Sequence, residues 1–487
     1  MNVDLARLGG VAGALGLSVL ILAPIRTWRL ASLVTWAAGC GLLAIALAPS
    51  GHHRAYAAAA VGGVVIALLL GFLFVKLPWT LAVAVLACAP ARIPVTVGST
   101  KANLLLPLYV VVAGAVVALA WEAIRWRGGE ERLPPQLGIC SRPAALLVMW
   151  LGLGLLWSDS AGGGKSVRAG AVDLLFYILP LGLLAVALSR LRWDIRWVKG
   201  LYVQIAAMAL AFGVIGIDQY LTRNIYWNPK VRVDNAYAPV GWYFRVNSIF
   251  YDPSIYGRFL VVAILASLVI VLFARGQAVW AAAAAAAVTL VGLLPSFSQS
   301  SFFALAVGVG VALVVLWQKK AILPLAVAAA ALAAITLGVP QLRNRIIGHS
   351  TTSHVTDGRS TLVNAGIKIA LHHPLIGVGT GGFVEGYAKQ LGHGKKGRAS
   401  HDAPITVAAE NGIPGLALLG WLLVAAFLMP FRRNRGSTAT DRARLAFGLA
   451  LLAIVVHSLF YNALLEDPLF WAAVALTAVA LREPEAA

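Results

Sequence analysis

Apolar residues run in long blocks along this chain, and polar positions fall mostly in short connectors between them. A block of about 20 apolar residues crosses a bilayer as one helix. "LGGVAGALGLSVLILAPI" is the first, and similar blocks recur to the end of the sequence. The pattern predicts an all-α, polytopic transmembrane helix bundle of about 12–15 spans. The first block has neither a strong basic flank nor a small-residue cleavage site, so it is expected to stay as a helix. "VKLPWTLAVAVLACAPA" (75–91) predicts only a short or re-entrant helix.

Composition sharpens this reading. Of 487 residues, 60% are hydrophobic and 12% charged, which excludes a soluble domain on a single anchor. A formal charge of +20 would suggest nucleic acid for a soluble chain. Here the cations gather in the connectors 123–143, 189–200, 273–277, 317–320 and 430–444. The positive-inside bias makes these cytoplasmic, and alternation then places 157–168, 217–256, 295–301 and 339–402 outside. The expected organisation is N-terminal helices over 1–216, a core with two extracytoplasmic loops (217–256 and 339–402) over 217–430, and C-terminal helices over 431–487. Cys40, Cys88 and Cys140 lack ligand spacing and read as packing residues. No fixed-period repeat and no matched pair of interrupted helices supports a secondary transporter.

Two outside stretches break the charge rule. Residues 339–402 carry Arg343, Arg345, Arg359, Lys368, Lys389, Lys395, Lys396 and Arg398, with His349, His354, His372, His373, His393 and His401. Either this is a solvated basic loop near anionic headgroups or, the better account of the whole, an anion-binding surface. In the other stretch, Arg245 stands among Trp242, Tyr243, Phe244, Phe250, Tyr251 and Tyr256. The rings are belt anchors or flank a sugar or lipid tail, and a guanidinium fork suits two phosphate oxygens.

"RASHDAPITVAAENGIPG" (398–415) predicts a helix starting near Ala403, capped by Ser400 or Asp402, with Pro404 in its first turn. Gly412, Pro414 and Gly415 should break it before the next span. His401 then stands at a helix N-terminus, where it takes a proton from a hydroxyl, holds an oxyanion, or merely assists the cap. In "GVGTGGF" (377–383), Gly379 and Gly381 allow either a closely packed turn or direct substrate contact.

These segments resemble the O-antigen ligase and polymerase superfamily of polytopic bacterial membrane proteins. "HDAPITVAAENGIPG" is similar to a family motif of His, a small polar residue, nine variable positions and Gly, matched here by His401, Asp402 and Gly412. "HHPLIGVGTGGF" (372–383), "DGRSTLVNAGIKIAL" with Arg359, and "RVNSIFYDPSIYG" with Arg245 resemble three further stretches in the family's order. Asp402 departs from the usual amide or hydroxyl, and Gln299 stands near a position where relatives carry a Ser-Arg pair.

The resemblance implies a GT-C-like, metal-independent membrane glycosyltransferase without a cofactor, and His401 as the group that activates the acceptor hydroxyl makes inversion at the sugar carbon the expected outcome. The enzyme's donor would be an undecaprenyl-diphosphate-linked glycan and its acceptor a glycan, lipid or protein, on the outer side of the cytoplasmic membrane, in cell-surface polysaccharide assembly. The matched positions imply catalytic roles for His401, Arg359 and Arg245, and the residue reading adds Gly379, Gly381, Tyr251 and Asp402 to Arg245 and Arg359 as the expected substrate-binding set. Nucleic acid is not an expected partner. A transporter or flippase of a lipid-linked glycan is the alternative; it expects charges lining a path through the spans.

Overall fold

The computed structural model describes residues 1–23, 25–48, 53–97, 100–125, 136–158, 164–226, 237–238, 241–242, 244–321, 323, 326, 359–391, 400–432 and 436–482. It is an all-α, polytopic bundle. The chain begins with α1 (Val3–Leu22), α2 (Arg26–Leu47), α3 (His53–Lys76) and the nine-residue α4 (Thr80–Cys88). A small antiparallel hairpin follows, β1 (Ile93–Val97) and β2 (Thr100–Leu104), with Ile93 opposite Leu104. Next come α5 (Leu106–Arg125), α6 (Ser141–Leu153) and α7 (Lys165–Leu188), the last passing through a π-helical turn at Leu174–Ile178. After α8 (Ile195–Thr222), two-residue strands β3 (Tyr237–Ala238) and β4 (Gly241–Trp242) pair antiparallel. Then come α9 (Pro253–Phe273), α10 (Gln277–Leu293), α11 (Gln299–Trp317), α12 (Arg359–His372) and α13 (Phe383–Leu391). The chain closes with α14 (Ala403–Phe431), α15 (Ala439–Ser458) and α16 (Pro468–Ala480).

Among the described residues, nine helices are long and apolar enough to cross a membrane, and Gly62–Lys76, Gly138–Leu153 and Pro468–Ala480 are shorter apolar helices. The short helix expected at 75–91 is α4, which ends at Cys88, two residues before Pro90. Small residues set the close approach of α1 and α2. A Cβ on Gly39 of α2 would meet the backbone of Gly13, and one on Gly16 of α1 would meet the backbone of Trp36. Such close approach is how helices gain packing in lipid, where burial alone drives little.

Three connectors that the charge pattern assigned to one side do share one end of the bundle. Arg482 Nη1 donates to Ser189 O at 2.7 Å and its Nη2 to Gln136 O. Trp193 Nε1 donates to Thr440 Oγ1 at 3.1 Å. The opposite end collects the other connectors. Arg7 donates to the Leu155 and Ser158 carbonyls, Ser158 Oγ to Thr380 O, and Arg245 to Ser296 O. There α9, α14 and α16 all start with an aspartate cap, Asp252, Asp402 and Asp467, and a proline in the first turn. The carboxylate accepts an orphan N–H while proline gives up a bond the helix start does not need.

Candidate functional site

The centre of this end is a break in α14. Gly412 has φ 67° and ψ −169°, so the helix before it and the helix after it do not share one ladder. In an unbroken helix, the Ile413 N–H would reach Ala409 O and residue 414 would reach Glu410 O. Pro414 has no N–H, and Ile413 N donates instead to Pro374 O at 2.7 Å. The two carbonyls released are taken by the glycine-rich turn: Val378 N donates to Ala409 O at 3.0 Å and Gly379 N to Glu410 O at 2.8 Å. The Glu410 side chain adds an acceptor for Phe383 N at 3.2 Å, the first residue of α13. Two motifs separate in sequence thus complete one another's backbone.

Thr380 at the tip of the turn is buried. Its hydroxyl donates to Leu151 O at 2.7 Å and lies 3.0 Å from Asn411 Oδ1, while its N–H reaches Gly154 O at 3.2 Å. Trp150 Nε1 and Trp157 Nε1 donate to Asn411 O and Ile376 O, each at 2.9 Å. Gly379 (φ 89°) lies against the Ser158 backbone, and Gly381 (φ 79°) against the backbone of Gly170 and Ser166. Of the two readings open for these glycines, this geometry fits the closely packed turn.

α14 begins at Ala403, as the sequence predicts, and Asp402 is its cap, with Oδ1 accepting Ile405 N at 2.8 Å. Burial pushes the Asp402 carboxyl above its usual range, and the Ile405 bond partly opposes this. Ser400 is not the cap. Its hydroxyl lies 2.6 Å from Thr406 Oγ1 and 2.6 Å from Asp402 O, and accepts Asp402 N at 3.1 Å. This clamp closes around His401, a half-buried residue in the left-handed region at φ 60°. A non-glycine residue there stores conformational energy that the surrounding bonds must offset.

Arg359 heads α12, and its side chain lies outside the described residues. The helix itself packs on the first half of α14. Leu362, Ala365 and Ile369 of α12, Phe383 and Tyr387 of α13, and Ala409 of α14 form a core cluster of their own. The Arg359 and His401 segments therefore rest on one small apolar unit. His349, His354, His393, Arg343, Arg345, Lys395, Lys396 and Arg398 lie outside the described residues.

Arg245 belongs to a different support. Its Nε donates to Ser296 O at 3.0 Å, and Val246 N to Pro295 O at 3.0 Å. The segment is held from the other side by Gln219, whose amide exchanges bonds of 2.9 and 2.8 Å with the Ser248 backbone. Tyr251 is half-buried beside it. Phe250 and Tyr256, expected as belt anchors or substrate flanks, are neither. Both are fully buried; Phe250 packs on Phe212 and Phe259, and Tyr256 Oη donates to Gly292 O at 2.8 Å.

Charged residues also meet below this surface. Arg258 of α9 and Asp467 pair at 2.6 Å, with side chains 3% and 4% exposed. Arg92, after α4, donates to Glu466 O at 2.8 Å, and its other terminal nitrogen lies 3.8 Å from Glu466 Oε2. None of these four was singled out from sequence. Arg258 carried a signal, an arginine inside an apolar span, which marks a partner or a pathway.

Residues 284–420 match the O-Antigen ligase family. No curated protein matches the chain. The matched residues take in α12, α13, the glycine-rich turn and the broken start of α14.

Proposed function

From a chain whose residues 284–420 carry an O-antigen ligase domain, we propose a membrane glycosyltransferase. It transfers or polymerises a glycan from an undecaprenyl-diphosphate donor onto an acceptor hydroxyl of a glycan, lipid or protein, on the outer side of the cytoplasmic membrane. Arg245 and Arg359 hold the diphosphate, and Tyr251 and Asp402 flank the bound substrates. His401 takes the proton of the acceptor hydroxyl as its oxygen bonds to the anomeric carbon from the face opposite the diphosphate. The bond from that carbon to the lipid diphosphate breaks, the leaving oxygen keeps the electron pair, and the sugar carbon inverts. Two guanidiniums neutralise the leaving charge, so this scheme assigns no step to a metal.

The observation that carries the reading is the shared core of α12, α13 and the start of α14. It ties the segment headed by Arg359 to the segment headed by His401. The strained, clamped backbone at His401 adds to it, since stored strain concentrates at working sites.

One observation favours the flippase alternative. Arg258, Asp467 and Arg92 are charges buried among helices, where the sequence suggested that the charges gather in outer loops. Purified protein incubated with a lipid-diphosphate glycan, an acceptor and EDTA separates the two. Transfer predicts release of lipid diphosphate only when acceptor is present, unaffected by EDTA. Movement of intact donor between leaflets without release would overturn the transferase reading.

A further inference from the structure

The end of the bundle opposite the broken α14 holds a cleft of about 610 Å³, between the end of α3, the start of α4, α5 and the connector from α7 to α8. That volume falls within the ~300–1,000 Å³ of ordinary ligand sites. Phe74, Leu81 and Leu119 are buried and give it an apolar floor. Trp79, Trp121 and Trp197 line it as well, and Trp79 and Trp121 are exposed. Three arginines share the lining, Arg125, Arg190 and Arg192, and Arg125 stacks over the Trp121 ring at 4.2 Å.

The carboxylates do not balance these cations. Asp194 Oδ1 caps α8 by accepting Arg196 N at 2.8 Å. Glu122 pairs with Arg190, and it is the acid that also acts on Arg29, a buried arginine within electrostatic reach of both Arg190 and Arg482. One carboxylate thus serves a group of guanidiniums that repel one another. A topological bias explains cations in connectors. It does not explain why three converge on an apolar cleft between helices, beside three tryptophans.

We propose that this cleft binds an anionic phospholipid. The phosphate accepts from the guanidinium forks, an acyl chain covers the apolar floor, and the indoles sit at headgroup depth. A free phosphate would answer the charge and leave the floor to water. A zwitterionic lipid would bring a further cation into a region already positive. The site is separate from the one proposed for glycan transfer and does not depend on that reading.

The test uses the full chain in neutral detergent with three probes: phosphatidylglycerol, phosphatidylcholine with the same acyl chains, and inorganic phosphate. Native mass spectrometry should retain one phosphatidylglycerol per chain, and phosphatidylglycerol alone should raise the unfolding midpoint. Arg125→Gln with Arg192→Gln should weaken retention about tenfold or more, near 1.4 kcal/mol. This variant leaves the Arg190–Glu122 pair in place, so the fold is spared. Arg275→Gln, in the connector between α9 and α10, should retain the lipid as the unaltered chain does. Equal retention by the double variant would overturn the site. An equal midpoint shift with phosphatidylcholine or with inorganic phosphate would overturn the anionic phospholipid as its occupant.

Discussion

Arg258 Nη2 and Asp467 Oδ2 stand 2.6 Å apart with almost no solvent on either side chain. Asp467 does two things at once, since its Oδ1 also caps α16 through Leu469 N at 2.8 Å. Removing one charge leaves the other buried and unpaired. Arg258→Met alone should therefore cost about 3–5 kcal/mol. Arg258→Met with Asp467→Asn, which keeps a capping side chain, should cost clearly less than the sum of the two single changes. Unfolding of the four proteins in detergent gives the coupling directly, and it should lie at about 0.5–3 kcal/mol.

The break in α14 is a second target. Gly412 has positive φ, and a Cβ there would meet Leu375 O at 2.6 Å. Gly412→Ala should destabilise by about 1–3 kcal/mol and displace the 374–382 turn. Pro414→Ala restores an N–H that competes with Gly379 for the Glu410 carbonyl. Both should lower glycan transfer more than membrane insertion, as measured on membranes carrying equal amounts of protein.

His401 separates chemistry from backbone. Asparagine tolerates the left-handed region well, so His401→Asn should preserve the clamp around Ser400 and leave the unfolding midpoint near that of the unaltered chain. Loss of a positioned base costs about 10²–10⁴ in rate. Transfer assays beside unfolding curves check both halves. Unaltered transfer would remove His401 from the scheme.

Arg245→Ala and Arg359→Ala should each lower transfer by about 10²–10³. Arg245→Lys should rescue little, because the Nε bond to Ser296 O orients a planar fork that lysine lacks.

Asp402 gives a pH signature. Burial raises its carboxyl in the folded state above the ordinary range. The folded chain therefore holds the proton more tightly than the unfolded one. Its contribution to stability is complete below the ordinary carboxylate pKa and is lost as pH rises through the folded value. Asp402→Asn keeps a cap and cannot ionise, so its unfolding midpoint should fall less than that of the unaltered chain as pH rises across that window.

Much of this was legible in the sequence, for local reasons. Aspartate before a proline two positions on fixes the start of α14 at Ala403, and Gly412 with Pro414 marks where its ladder fails. Long apolar blocks give the spans, and the short one at 75–91 gives α4. The hairpin over 93–104 was missed, although "IPVTV" and "TKANL" flank a Gly-Ser pair that a period-two reading would flag. What a one-dimensional reading lacks is partnership across the chain. Glycine spacing announces a sharp turn at 377–382, but not that its N–H groups fill the gap opened by Pro414. An arginine inside an apolar span announces a partner, but nothing near Arg258 names Asp467.

That pairing has a consequence for biogenesis. Arg258 is synthesised long before Asp467, so the α9 guanidinium is made without the counter-ion that it pairs with in the finished fold. The paired, buried form of that side chain therefore has to wait for the start of α16, which Asp467 caps. A chain cut short before Asp467 would keep Arg258 without this counter-ion, and an uncompensated cation among apolar helices is costly.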